Sequence, residues 1–198
     1  MSISTGKPFH HHAVQFYGTD LSLFGTVSGF LADGLVADQP ALVIATAEHA
    51  SGLREHLTKR MIDITAAEET GQLQFLDAAD KLAAFMVDGS PDAELFDRQM
   101  GAIIEDIRQD NHQAIIRAYG EMVDLLWRRG DPTAAIQVEI LWNKLALKYR
   151  FALMCGYSMG SFYKQTEHVE AIFEQHTDVI LPEQSVLTFK PRHLPKVS

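Results

Sequence analysis

In the stretch "IIRAYGE" at residues 115–121, Arg117, Tyr119 and Glu121 follow one another within a few positions of an apolar run. An arginine can hold a carboxylate or another anion through two parallel hydrogen bonds, and a glutamate selects a donor such as an alcohol or amine. Tyrosine supplies an apolar wall with a hydroxyl handle, and Tyr17 and Tyr157 offer the same. Such groups could orient a small, partly apolar ligand without covalent chemistry. The plainer alternative is an ion pair between Arg117 and Glu121 that braces a turn.

Catalytic patterns are weaker. The turn "YGTDLSLFGT" after the first apolar strand lacks the lysine and the GxxxxGK[ST] spacing that cradle a triphosphate, and Asp20 would repel phosphate there. Nucleotide binding without hydrolysis stays as a secondary reading. "GYSMGS" at 156–161 approaches the nucleophile-elbow pattern superficially, which sets a hydrolase behind the binding readings. The nine histidines include "HHH" at 10–12 and single ones at 49, 56, 168 and 176, with no HExxH spacing, so no metal ligand is assigned from the sequence. His12, before the first strand, and His49, after the second, are kept as candidate ligand contacts. Cys155 within an apolar strand reads first as a small buried hydrophobe, and Trp127 and Trp142 as core.

The elements that must carry these residues alternate. "AVQFY" (13–17) reads as a strand, followed by a helix capped by Thr19 or Asp20 that aligns Leu23, Phe24, Val27, Phe30, Leu31 and Leu35. "ALVIAT" (41–46) is a strand buried on both faces, and the next helix faces Leu53, Leu57 and Met61 inward. "TAAE" (65–68) has capping-box spacing, "QLQFLD" (72–77) is a strand, and the helix after it carries Leu82, Phe85 and Met86. A helix over 93–109, a strand "QAIIRAY", a short helix ending near Gly130, and a helix opened by Asp131-Pro132 follow. "FALMCGY" (151–157) is the fifth strand, and a final helix presents Phe162, Val169, Ile172 and Phe173.

Continuously apolar strands alternating with helices predict an α/β domain of three layers, a mainly parallel sheet flanked by helices. Ligands in that architecture settle at the carboxyl ends of the strands. The 198 residues, 46% of them hydrophobic, fit one domain: a flexible N-terminus over 1–11, the domain over 12–180 and a tail over 181–198. A net charge of -9 with no basic run argues against nucleic acid and anionic membranes as partners. The lack of an apolar span or leader-like segment, and a single cysteine, predict a cytoplasmic location.

"HAVQFYGTD" (12–20), "RAYGEMVDLLWRRGDPTAAIQVEILWN" (117–143) and "FALMCGYSM" (151–159) resemble the MEDS family, the methanogen/methylotroph DcmR sensory domain. The resemblance implies a RecA-like frame, akin to circadian-clock ATPase folds but without working nucleotide motifs, that senses small molecules such as hydrocarbon derivatives. Positions matching the family's recurrent polar residues are His12, Tyr17, Arg117, Tyr119, Glu121, Glu139, Trp142, Asn143, Cys155 and Tyr157. Family members join histidine kinases or DNA-binding regions, whereas here only a short tail is expected after the last helix. The expected function is therefore a non-catalytic sensory domain that binds a small ligand through His12, Tyr17, His49, Arg117, Tyr119, Glu121, Trp142, Cys155 and Tyr157. It would pass occupancy to a signalling partner such as a histidine kinase or transcriptional regulator. No cofactor is identified, and the assembly expected is at most a homodimer. One alternative is a ligand-free adaptor that docks a basic partner through its acidic surface and tail; another is a degenerate RecA-like nucleotide binder.

Overall fold

The computed structural model describes residues 11–108, 113–162 and 168–182. The expected N-terminal segment up to residue 10 and the tail from 183 lie outside the described residues. The chain opens with β1 (His11–Tyr17), α1 (Asp20–Val36), β2 (Ala41–Ala45), α2 (Ala47–Lys59) and α3 (Ile64–Glu69). It continues through β3 (Leu73–Asp77), α4 (Ala78–Ala83), a hairpin of β4 (Met86–Val87) and β5 (Ser90–Pro91), and α5 (Ala93–Arg108). β6 (Ile116–Gly120), α6 (Met122–Arg128), α7 (Pro132–Leu145) and β7 (Phe151–Ser158) form the middle of the second half. α8 (Met159–Phe162), α9 (Val169–Gln175) and β8 (Asp178–Ile180) complete it.

Six strands make one sheet in the order β3-β2-β6-β7-β1-β8, and every pairing is parallel. Burial explains the composition of the strands: β2 reads "ALVIA" with every residue buried, because helices cover both faces. Successive side chains alternate between two cores. One core, under α4 to α7 and α9, takes Val14, Phe16, Leu153, Cys155 and Tyr157; the other, under α1 and α2, takes Tyr17, Val43, Tyr119 and Met154. The three-layer α/β expectation is therefore met.

Local departures have simple causes. Met61 is 91% exposed, because α2 ends at Lys59 and Met61 adopts a φ of 65° past it. Asp63, not Thr65, caps α3, accepting from the Ala66 N–H at 3.0 Å. α4 stops at Ala83, so Met86 falls into the hairpin, whose turn at Asp88 and Gly89 takes two positive φ values. The final helix expected from the sequence is two helices, α8 and α9, and the three-residue β8 at the sheet edge is too short and polar to have been read as a strand. No helix among the described residues is long and apolar enough to cross a membrane.

Candidate functional site

β2, β6 and β1 end on the same edge of the sheet, and their last residues bring a polar cluster together. The ladder carries on one residue past β6, where the Glu121 N–H donates to the Ile44 carbonyl at 3.1 Å. That contact sets Glu121 beside the start of α2. Its side chain leaves its own helix α6 uncapped and reaches across to its neighbour, accepting a short hydrogen bond from the Thr46 N–H. An anion at a helix N-terminus is favoured by the aligned peptide dipoles. The other carboxylate oxygen accepts from His49 Nδ1 at 2.5 Å and from the Tyr119 hydroxyl at 3.1 Å, and Glu121 is 2% exposed.

His49 links this buried group to the surface. A carboxylate can only accept, so Nδ1 carries a proton, and Nε2 lies 3.6 Å from Oδ1 of Asp20, whose side chain is half exposed. Burial pulls the His49 pKa down, but its hydrogen bonds and charge attraction to Glu121 and Asp20 outweigh that, and the net direction is upward. Beside it the Tyr17 ring stands edge-on at 5.9 Å, with its hydroxyl donating to Asp124 at 3.3 Å. Asp124 also accepts from the Ser158 N–H at 3.0 Å. Burial raises the Asp124 carboxyl above its usual range, and the Ser158 hydrogen bond resists this. Burial holds the Tyr17 and Tyr119 hydroxyls protonated, as donors. One acceptor on the same face stays open: Oε1 of the buried Gln15 has no hydrogen-bond partner. Gln15 pairs in register with Gly156, and a Cβ at 156 would stand only 2.7 Å from the Tyr119 hydroxyl, so glycine is needed for the ring to lie there.

Arg117 does not join this cluster. It shares a face with Tyr119 and Glu121, but it stands at the start of β6, roughly 13 Å along the strand from Glu121 at about 3.3 Å per residue. Its Nε donates to Gln39 at 2.7 Å, its guanidinium lies 5.0 Å from the Phe30 ring, and its stem crosses α1 at Gly34, where no Cβ obstructs it. The expected convergence of Arg117 and Glu121 on one hollow is not what the structure shows, and neither is an ion pair between them. Trp142 is 1% exposed in the core between Phe96 and Phe151. "GYSMGS" does complete GxSxG spacing at Gly156, Ser158 and Gly160. Even so, Ser158 is an ordinary strand residue, and the positive-φ non-glycine residues among those described are Asp38, Met61 and Asp88, so the strained turn of a nucleophile elbow is not built.

The remaining candidates meet on the opposite face. His12 on β1 and Cys155 on β7 both approach Glu139, which projects from the middle of α7 and is fully buried. Oε2 of Glu139 lies 3.2 Å from His12 Nε2 and 3.2 Å from Cys155 Sγ, while Oε1 accepts from the Tyr157 hydroxyl at 3.0 Å. His176, just after α9, places Nε2 at 3.4 Å from Oε1. The donor atoms of His12, Glu139, Cys155 and His176 all lie within 4.8 Å of one another, a set that could hold a metal ion. Burial acts to raise the Glu139 pKa, yet the two histidines outweigh it and hold the carboxyl far below its usual range. Burial likewise raises the Cys155 thiol and the Tyr157 hydroxyl.

Sequence reasoning missed Asp124, Gln15, Thr46 and Asp20 on the first face and did not group His176 with His12 on the second. Asp124 carried a local sign, as an acid amid the apolar helix "MVDLLW". The second cluster draws on positions 12, 139, 155 and 176, which only the topology joins.

A family model described as MEDS, the methanogen/methylotroph, DcmR sensory domain, matches residues 11–177. Among solved structures, the fold is similar to that of a KaiC-like protein from the hyperthermophilic archaeon Pyrococcus horikoshii. The TM-score is 0.62 at 15% identity, over 89% of this chain and 75% of that one. A search of curated proteins finds no match.

Proposed function

Since the chain belongs to the MEDS family of sensory domains, we propose that it senses a small, partly apolar molecule at the strand-end cluster of Glu121 and relays occupancy to a signalling protein. One observation carries this reading: a carboxylate 2% exposed is joined through His49 to the half-exposed Asp20, a graded polar path from bulk water to a buried acceptor. Glu121, with the unpartnered oxygen of Gln15 two strands away on the same face, suits a ligand that donates hydrogen bonds, an alcohol or amine. Tyr17, Tyr119 and Phe24 supply the apolar walls, Phe24 standing edge-on to His49 at 5.7 Å. His12, Cys155 and Tyr157, though expected as contacts from the sequence, belong to the other face and have a different part in this reading. Binding would act on the partner by shifting α1 and α2, which meet at the cluster through Asp20 and His49.

The test is calorimetric titration of a panel of short alcohols, amines and carboxylic acids against the wild type and Glu121→Gln. An alcohol or amine should bind the wild type and lose at least about tenfold in affinity in the variant, equivalent to roughly 1.4 kcal/mol. Equal affinity for both proteins would remove Glu121 from the site. Binding of ATP with magnesium instead of these compounds would favour the degenerate nucleotide reading, and a stable complex with a partner regardless of added ligand the adaptor reading.

A further inference from the structure

We infer that His12, Glu139, Cys155 and His176 form a binding site for a divalent metal ion of the zinc type, which clamps β1, α7, β7 and the segment after α9 together. Four ligands about 2.0–2.3 Å from a tetrahedral zinc ion stand roughly 3.3–3.8 Å from one another. Here Oε2 of Glu139 stands 3.2 Å from His12 Nε2 and 3.2 Å from Cys155 Sγ, His12 Nε2 stands 3.4 Å from Cys155 Sγ, and His176 Nε2 stands 3.4 Å from the other carboxylate oxygen, with the four ligand atoms all within 4.8 Å of one another. Thiolate, imidazole and carboxylate are the donor types that zinc accepts.

The tautomers point the same way. Asn143 donates its amide N–H to the Gln175 carbonyl at 2.9 Å, which turns its oxygen toward His12 Nδ1 at 2.8 Å. That oxygen can only accept, so Nδ1 of His12 carries a proton and Nε2 is the nitrogen that faces the cluster. His176 repeats the arrangement: Nδ1 donates to the Ile172 carbonyl at 2.6 Å, and Nε2 is buried without a hydrogen-bond partner. Both Nε2 nitrogens face the same ionised carboxylate, a position in which a divalent cation can replace the protons that otherwise bridge them. Histidine ligands whose second nitrogen is held by a carbonyl oxygen are the usual supporting pattern of metal sites. Tyr157 supports the carboxylate in the same manner.

Charge balances as well. A divalent ion with one thiolate, one carboxylate and two neutral imidazoles leaves the fully buried site neutral. On loading, the Cys155 S–H bond breaks, a sulfur–metal bond forms, and the proton leaves to solvent together with any held by the imidazoles. His176 and Asn143 also border a surface recess of about 430 Å3, which leaves the cluster one side chain from solvent.

The test is elemental analysis and cobalt(II) loading of the intact chain after chelator treatment. The wild type should take up one ion per chain and show a thiolate-to-cobalt charge-transfer band. Cys155→Ser should lose the band, and Asn143→Ala should weaken binding about 10- to 100-fold, as removal of outer partners does. His11→Ala, at a neighbour whose ring pairs with Asp178 at the surface, should change neither. Should Cys155→Ser fail to fold, the wild-type band and the Asn143→Ala affinity still decide the matter. A wild type that takes up no zinc or cobalt, or takes up cobalt with no thiolate band, would overturn the site.

Discussion

Glu121 and Glu139 are both carboxylates withdrawn from solvent, one on each face of the same sheet, and the chain surrounds them differently. Glu139 leaves the middle of a helix into a core where its neighbours are a thiol, a phenol and two imidazoles, the imidazoles held from behind by Asn143 and the Ile172 carbonyl. Glu121 sits at a strand end, bound on one side by a helix N-terminus and on the other by a histidine whose far nitrogen looks toward an exposed acid. The first arrangement is matched by side chains from β1, β7 and the segment after α9. The second has a route to water, and groups along such a route can exchange partners at modest cost. Location within an element decides which of these a buried acid becomes: mid-element polar groups must be matched internally, whereas strand ends can be matched by a visitor.

The sharpest way to break this contrast is to remove the deeper acid. Glu139→Ala should cost about 3–5 kcal/mol of unfolding free energy, because it strands two imidazoles and two hydrogen-bond donors in the core. Urea unfolding measures this, and a loss under about 1 kcal/mol would mean that the cluster hydrates freely. Gly156→Ala comes next, at about 1–3 kcal/mol, since the added methyl meets the Tyr119 hydroxyl and one of them must move. The rim acid should be more forgiving: Glu121→Gln is expected to cost roughly 1–2 kcal/mol, as it keeps its shape and loses charge-assisted bonds.

The pH response sharpens the comparison further. The folded pKa of His49 is raised above the ordinary value near 6.5, so its stabilising charge is fully present below about pH 6.5 and is lost as pH rises through the folded value. Unfolding midpoints should therefore fall as pH rises above about 6.5, and His49→Gln should flatten that slope. Parallel slopes would show that His49 is not the charged bridge. The smallest effect belongs to Arg117→Met, below about 1 kcal/mol and without change in affinity for an alcohol or amine ligand, since its contacts are Gln39 and one ring at the far end of β6. Weakened binding in that variant would place the site elsewhere.

The fold was legible because its signals are local. The all-buried β2, the Thr19 cap and the Asp131-Pro132 start each declare themselves within a few residues. Of the rim, Tyr17, His49, Tyr119 and Glu121 could be read from their places at strand ends, since parallel strands deliver side chains there. Arg117 misled because type and proximity in sequence say nothing of which end of a strand a residue occupies; four residues of β-structure are enough to separate two charges for good. The Glu139 cluster was legible only one residue at a time. His12 and Cys155 lie on neighbouring strands whose register, His12 beside Leu153, no sequence pattern fixes.

The place of β1 between β7 and β8 has a consequence for how the protein is made. Among the described residues β1 pairs only with β7 and β8, both later in the chain, so His11 has no strand partner until Ala152 has been synthesised. At about 5–20 residues per second that is a wait of roughly 7–30 s, with a strand destined for burial held open to solvent or to a chaperone. A nascent chain stalled before residue 151 should remain sensitive to protease at β1, and release of the stall should close it.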